Sequence, residues 1–219
     1  MKPANIYESD ETKLNQEAER LSSFDLPNQV SINAIGEIRA ETKFLDVGAG
    51  SNTVLGKYVS EHNGIYTALD KNQSFLDIQK AKGVITIHGD AREMPLSTNS
   101  FDISHVRFVI AHLGQDKENA IQETLRVTKQ GGSAIFLDFD WTTAHGSKDF
   151  DNFRDFMINS GFLFDASFGA FLDTAVRLAI TNDQASITAK RFSPELMFDK
   201  LGGTQIIRND GHFGNWPMV

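Results

Sequence analysis

The sequence predicts a doubly wound α/β domain with a mostly parallel sheet, N-terminal helices and a small Phe-rich helical cap. Between residues 43 and 139, five apolar runs of strand length alternate with segments of helical periodicity. Such alternation favours parallel strands joined by helical crossovers. Acids follow three of these runs, at Asp70, Asp90 and Asp138. Ligands bind beyond the carboxyl ends of the strands in this architecture, so these acids are candidate site residues.

Composition narrows the class of protein. The chain has 219 residues, 40% of them hydrophobic and 23% charged, which suits one α/β domain with a small appendage. A net charge of -8 argues against a nucleic-acid partner, because phosphate binding needs clustered Lys and Arg. The lack of cysteine excludes disulfides and cysteine nucleophiles and favours the cytoplasm. We find no membrane-span run, signal-peptide pattern or metal-ligand spacing, which predicts a soluble protein without a metal.

The segment KFLDVGAGSNTVLGKY, residues 43–58, organises the rest of the chain. An apolar strand containing Asp46 leads into a glycine turn and then into helical spacing. Glycines at positions 48 and 50 permit positive φ and the close approach of a ligand. The helix N-terminus supplies unpaired N–H groups for an anionic group. This pattern is typical of a nucleotide-type cofactor site.

The remaining elements follow in order along the chain. Two helices are predicted before the turn, at 11–22 and 30–38, with a break at Asp25-Leu26-Pro27. Further strands are predicted at 64–69, 84–88, 101–106 and 133–139, and further helices at 73–82 and 117–127. Gly131-Gly132 is expected to turn the chain into the fifth strand.

The sequence changes character after Trp141. Residues 136–171 hold nine of the 17 phenylalanines, over helices predicted at 150–160 and 164–180. A sixth strand at 185–192, a short helix from Ser193 and an edge strand in the tail are also expected. The predicted organisation is one domain, 1–219, with N-terminal helices (1–40), a cofactor-binding core (41–141) and a substrate cap with the sheet edge (142–219).

The residues around the turn discriminate between cofactors. A dinucleotide site has G-x-G-x-x-G, whose third glycine is Thr53 here, and the P-loop pattern is absent. Asp46, two residues before the first glycine, is unfavourable for a pyrophosphate. It suits a ligand that carries an ammonium group and a sulfonium.

The ordered motifs resemble those of the class I S-adenosylmethionine-dependent methyltransferases, over about residues 17–141. LDVGAG, the acid Asp70 and Gly89-Asp90-Ala91 follow in the family's order. PLSTNSFDISHVRFVIAHL is similar to its P-x-x-x-x-S-F-D-x-x-x-x-R-x-x-x-x-H-L region, and RVTKQGGSAIFLDFDW to its R-V-L-K-P-G-G-x-x-x-x-x-D-x-D-W ending. The likeness is greatest to the small-molecule, ubiquinone/menaquinone-biosynthesis-like type, which has a Rossmann-like fold.

This resemblance implies a cofactor site. The glycine turn would hold the methionine part, Asp70 both ribose hydroxyls, and Asp90 with the Ala91 N–H the adenine edge. Arg20, in EAERL, would pair with the cofactor's carboxylate, and Asp46 would orient the glycine loop or the cofactor amino group. The implied cofactor-binding set is Arg20, Asp46, Gly48, Ala49, Gly50, Asn52, Asp70, Lys71, Asp90, Ala91 and Arg107.

The acceptor side is less specific. His112 and Asp138 are candidate general bases, although a structural hydrogen bond is the alternative for His112. Asp140 and Trp141 are candidate substrate contacts. His105, inside the fourth strand, is expected to be a hydrogen-bonded core histidine.

The expected reaction is methyl transfer from S-adenosylmethionine, with S-adenosylhomocysteine as product, to an O, N or C atom of a small metabolite. The expected partners are that acceptor and a second copy of the chain in a homodimer, with no nucleic acid and no membrane. A non-methylating cyclase or lyase is an open alternative. A regulatory binding protein is another, since Asn52 and Lys71 depart from the family pattern. An NAD-dependent reductase fits Asp46 and Thr53 poorly.

Overall fold

A computed structural model of the chain describes residues 25–51 and 53–138, and also Lys148, Asp151, Asn152, Asp155, Asn159 and Leu172, which are helical. The helices of the continuous ranges are α1 (Asp25–Ile35), α2 (Val54–Glu61), α3 (Gln73–Ala81) and α4 (Lys117–Val127), with short 3-10 helices at Ile110–His112 and Gly114–Asp116. The strands are β1 (Lys43–Val47), β2 (Ile65–Asp70), β3 (Ile85–His88), β4 (Phe101–Arg107) and β5 (Thr128–Leu137).

The five strands form one sheet in the order β3-β2-β1-β4-β5, and every neighbouring pair is parallel. The chain moves outward from β1 to β3 and then returns to the other side of β1 with β4. This reversal of strand order creates a crevice at the carboxyl ends of β1 and β4, where ligands bind in such sheets. The predicted doubly wound parallel core is confirmed.

Helix α1 differs from its predicted position. The helix begins at Asp25 and ends at Ile35, whereas a break at 25–27 and a helix over 30–38 were predicted. Pro27 falls in the first turn of the helix, where proline needs no hydrogen-bond partner for its nitrogen. Gly36 follows with φ +70° and ends the helix in the left-handed conformation that glycine favours.

Strand β5 begins at Thr128, five residues earlier than predicted. Its register with β4 shifts between Phe101 and Ile103, as at a β-bulge. A side chain on Gly132 would lie 2.6 Å from the Asp102 carbonyl oxygen, so glycine lets the two strands approach there. The glycine pair therefore lies within the strand, and the prediction that it precedes the strand is wrong.

Two apolar layers enclose the sheet because successive strand residues point to opposite faces. Leu45 and Val47 of β1 pack with Ile121 of α4 on one face. Phe44 of β1 packs with Leu55 of α2 on the other, in a cluster that also receives α1. Asp46 points to this second face, so it is buried under α1.

Several predicted elements lie outside the described residues. They are the helix at 11–22, the sixth strand, the later helix and the edge strand, and most of the Phe-rich cap. Among the helices that are described, none is long and apolar enough to cross a membrane.

Candidate functional site

The glycine turn adopts the backbone that its sequence predicted. Gly48 and Gly50 have φ values of +65° and +56°. A Cβ atom on Gly48 would lie 2.3 Å from Cγ2 of Val109, in the segment that follows β4. Gly48 is therefore required both by its left-handed conformation and by the close approach of the segment that follows β4.

Hydrogen bonds join the turn to β2 and α3. The Ala49 N–H donates to the Leu69 carbonyl at 3.1 Å, and the Gly50 N–H donates to Asp70 Oδ2 at 2.8 Å. The side-chain amide of Gln79, fully buried in α3, donates to the Gly50 carbonyl at 2.9 Å. Gln79 was missed from the sequence, where one amide on a helix carries no recognisable signal.

Asp70 ends β2 and is held by backbone groups. Oδ2 accepts the Gly50 N–H, and Oδ1 accepts the Asn72 N–H at 2.8 Å. Burial raises the pKa of Asp70, and the two backbone hydrogen bonds partly offset that rise. Each carboxylate oxygen has two acceptor positions, so Asp70 retains capacity for further donors.

The Asp46 side chain lies on the face of the sheet that α1 covers, where two side chains bind its carboxylate. The Tyr66 hydroxyl donates to Asp46 Oδ2 at 2.7 Å, and His105 Nδ1 lies 2.9 Å from Oδ1. Burial, and then the negative charge of Asp46, raise the pKa of Tyr66 well above its usual value. The expected contact of Asp46 with the glycine loop is not among these bonds, because the register of β1 with β2 and β4 places two polar side chains beside it.

His105 continues this chain of contacts to α1. Its Nε2 lies 2.9 Å from the Ser31 hydroxyl, and the imidazole is fully buried. The prediction of a hydrogen-bonded core histidine is confirmed. We call Tyr66, Asp46, His105 and Ser31 the inner network, because together they connect β2, β1, β4 and α1 beneath the turn.

Arg107 is the last residue of β4. Its Nη1 donates to the Asn28 side-chain oxygen in α1 at 2.7 Å. Burial lowers the pKa of Arg107, an effect opposed by the negative charge of Asp46. The next residue, Phe108, has φ +57°, a left-handed conformation that is uncommon for a large side chain and that recurs at functional sites.

Asp90 follows β3 and pairs with Arg92. Arg92 Nη2 donates to Asp90 Oδ2 at 2.6 Å and Nε to Oδ1 at 2.9 Å, and Nη1 reaches Asp116 Oδ2 at 3.2 Å. Hydrogen bonding from Arg92 lowers the pKa of Asp90. Ala91 is buried beside it. The role of Arg92 was missed, although a charge of opposite sign two residues after Asp90 was a usable signal.

The structure brings the end of β5 to the 3-10 helix Ile110–His112. Asp138 Oδ2 accepts the Ala111 N–H at 3.0 Å, and His112 is partly buried at the end of the same helix. Lys71 is exposed, and its carbonyl oxygen lies 2.9 Å from His88 Nε2. Four predicted site residues lie outside the described ranges: Arg20, Asn52, Asp140 and Trp141.

These features define a class of protein. A parallel sheet whose switch point carries a glycine turn, with an acid at the end of the next strand bonded to that turn, is a nucleotide-cofactor-binding α/β domain. Residues 45–136 match the family model described as "Methyltransferase domain". The match lies within the predicted cofactor-binding core and agrees with the resemblance to the class I S-adenosylmethionine-dependent methyltransferases that the motifs indicate.

Curated relatives match about half of the chain. The demethylmenaquinone methyltransferase of Renibacterium salmoninarum is 32% identical over 114 residues, which are 51% of this chain and 47% of the relative. The Staphylococcus aureus protein of the same description is 33% identical over 108 residues, 46% of this chain and 44% of the relative. The matches thus span less than half of the length of these relatives.

A solved structure shares the fold. Haemonchus contortus phosphoethanolamine N-methyltransferase 2, in complex with S-adenosyl-L-methionine, superposes with a TM-score of 0.64. Its identity is 17%, over 85% of this chain and 43% of the other. At this identity the likeness concerns the fold alone.

Proposed function

We propose that this chain binds S-adenosylmethionine and transfers its methyl group to an O, N or C atom of a small molecule. One observation carries the proposal: the Gly50 N–H is bonded to Asp70 Oδ2 at 2.8 Å. This bond fixes the glycine turn against the acid that ends the neighbouring strand. In this proposal the amino-acid part of the cofactor lies at the glycine turn, its ribose at Asp70 and its base at Asp90 and the Ala91 N–H.

The residues present fit that ligand. Gly48 and Gly50 have no Cβ to obstruct the methionine part, and their backbone is already in the required conformation. Asp70 has the acceptor capacity for two ribose hydroxyls. Asp90 and the Ala91 N–H supply an acceptor and a donor for the adenine edge. The proposed set further includes Arg20, Ala49, Asn52, Lys71 and Arg107, and Asp46 acts on the turn's surroundings through the inner network.

The sulfonium of the cofactor supplies an activated methyl group, so the protein's task is mainly to align the acceptor and exclude water. An amine acceptor that arrives neutral needs no base. A hydroxyl or carbon acceptor has to lose a proton. We assign the removal of this proton to His112 or Asp138, which lie at one edge of the sheet. Asp140 and Trp141 are the proposed substrate contacts.

The relatives' descriptions support a small-molecule acceptor, since they name demethylmenaquinone as the substrate of those proteins. The net charge of -8 supports the expectation that nucleic acid is not the acceptor. A homodimer and a cytoplasmic location are carried forward as predictions of the same proposal.

Calorimetric titration of the full chain with S-adenosylmethionine, S-adenosylhomocysteine and NADH tests the proposal. We expect both sulfur ligands to bind and NADH not to bind. Absence of binding by both sulfur ligands would overturn the proposal. Methyl transfer is then measured as S-adenosylhomocysteine formed with a panel of quinols, phenols and amines. Binding without this product across the panel would favour a non-methylating enzyme or a regulatory protein.

A further inference from the structure

The end of β4 borders the glycine turn. Val106 pairs with Val47, so Arg107 lies level with Gly48, the first residue of the turn. Val109, two residues further on, packs so closely on Gly48 that a Cβ there would overlap it. The segment 107–109 therefore forms one wall of the crevice into which the turn opens.

Arg107 differs from the other arginines of the described ranges. Arg39, Arg92 and Arg126 each lie within 4.0 Å of a carboxylate oxygen. Within residues 25–51 and 53–138, Arg107 has no such ion pair, and its one hydrogen-bond partner is the neutral amide oxygen of Asn28. A guanidinium has five N–H donors, so most of them are available to a ligand.

The electrostatic surroundings favour an anion at this position. Asp46 is the carboxylate that acts on Arg107, yet Tyr66 and His105 already occupy one Asp46 oxygen each. Within the described ranges, the buried side-chain nitrogen and oxygen atoms without a hydrogen-bond partner are Ser51 Oγ and Gln79 Oε1. The guanidinium nitrogens of Arg107 are not among them. Because burial disfavours the charge of Arg107, a bound anion would offset part of the cost of burying it.

We propose that Arg107 binds a carboxylate that a ligand brings into the crevice beside the glycine turn. A planar guanidinium matches a carboxylate through two parallel hydrogen bonds, and charge-assisted bonds of this kind are stronger than bonds between neutral groups. The inference rests on the proposed function. Two ligands of that function can carry the carboxylate: the methionine part of the cofactor, or the methyl acceptor.

The variant Arg107→Met separates these sources. Wild type and variant are titrated with S-adenosylhomocysteine and with 5′-methylthioadenosine, which lacks the amino-acid carboxylate. If the cofactor supplies the carboxylate, the variant binds S-adenosylhomocysteine about tenfold to a hundredfold more weakly and 5′-methylthioadenosine unchanged. If the acceptor supplies it, both affinities stay unchanged, and binding of benzoate or citrate to the S-adenosylhomocysteine complex is lost in the variant.

Two further variants control the experiment. Arg39→Met removes an exposed arginine paired with Glu37 and should change none of these affinities. Arg107→Lys keeps the charge but not the bidentate geometry, and we expect an intermediate loss; it also replaces Arg107→Met if that variant fails to fold. The proposal is overturned if two results occur together. The first is that Arg107→Met binds S-adenosylhomocysteine as tightly as the wild type does. The second is that the S-adenosylhomocysteine complexes of wild type and variant bind benzoate or citrate equally, or that neither complex binds them. Failure of the wild type to bind either nucleoside would instead contradict the proposed function.

Discussion

Asp46 and Asp70 lie on neighbouring parallel strands next to the glycine turn, and both are buried. Asp46 bonds to two side chains, the Tyr66 hydroxyl and the His105 imidazole. Asp70 bonds to two backbone groups, the N–H groups of Gly50 and Asn72. The same residue type therefore joins helix α1 to the sheet at one position and shapes the edge of the crevice at the other.

This difference concerns what each carboxylate can still do. A carboxylate enclosed by side chains from other strands stabilises the packing of those elements. A carboxylate at the end of a strand, held by backbone N–H groups that the turn presents, can accept further hydrogen bonds from a ligand. Substitutions in the two regions should accordingly separate folding stability from cofactor affinity.

The largest effect is expected at the turn itself, with Gly48→Ala. A left-handed alanine costs about 1–2 kcal/mol, and overlap with Val109 adds about 1–3 kcal/mol. We expect a loss of about 2–5 kcal/mol in the free energy of unfolding, measured by urea denaturation, and loss of S-adenosylhomocysteine binding.

Gly83→Ala is the matched control. Gly83 also has a positive φ, +82°, but no atom lies within 4 Å of its Cβ position. This variant should lose about 1–2 kcal/mol and retain its affinity. Equal losses in the two variants would show that the contact with Val109 is unimportant.

Tyr66→Phe tests the inner network. Removing the hydroxyl leaves Asp46 Oδ2 buried without its donor, which costs about 1–3 kcal/mol. We expect this loss in the free energy of unfolding, with little change in cofactor affinity. Tyr58→Phe is the control, because the Tyr58 hydroxyl makes an exposed 3.3 Å bond to the Gly36 carbonyl and its loss should be nearly neutral. If Tyr66→Phe is as stable as Tyr58→Phe, the inner network does not stabilise the fold.

Local sequence patterns predicted most of the fold. Periodicity predicted both ends of the helix Lys117–Val127 and the existence of every strand of the described sheet, although β5 begins five residues before its predicted start. The errors arose where one residue type is compatible with two local structures. Proline, as at Pro27, can end a helix or occupy its first turn. A glycine pair, as at Gly131-Gly132, can precede a strand or form a bulge within it, and only the packing of neighbouring elements decides between these structures.

The candidate site was predictable where it depends on neighbouring residues in sequence. The glycine turn and the acids after strands follow from short motifs. The partners of Asp46 do not, because Tyr66 and His105 are 20 and 59 residues away. Which side chains meet there depends on the register of three strands, and no local pattern specifies that register.

Asp70 should give a characteristic pH dependence. Burial raises its folded pKa above the ordinary 3.8, so the native state binds this proton more readily than the unfolded chain does. Asp70 therefore contributes stability that is fully present below its unfolded pKa and is lost as pH rises through the folded pKa.

The comparison of wild type with Asp70→Asn isolates this contribution. The stability of the wild type minus that of the variant should fall as pH rises from about 4 to about 7, measured by urea denaturation. At neutral pH the variant should bind S-adenosylhomocysteine about tenfold more weakly, because it loses acceptor positions. Asp77→Asn, at an exposed position on α3, is the control and should show neither effect. A stability difference that grows with pH would contradict the buried, raised-pKa description.

The smallest effect on stability is expected at Asp90, the acid that side-chain contacts hold at the protein surface. The side chains of Arg92 and Asp90 are 38% and 33% exposed, so solvent screens their ion pair. Arg92→Met should cost no more than about 1 kcal/mol in the free energy of unfolding. It should nevertheless weaken S-adenosylhomocysteine binding a few-fold, because the Asp90 carboxylate then keeps only the bond from the backbone N–H of residue 92 and is oriented less firmly. Asp116→Asn removes the more exposed contact of Arg92 and should change neither quantity. A stability loss in Arg92→Met as large as that in Tyr66→Phe would place Asp90 with Asp46, among the acids whose bonds hold the fold.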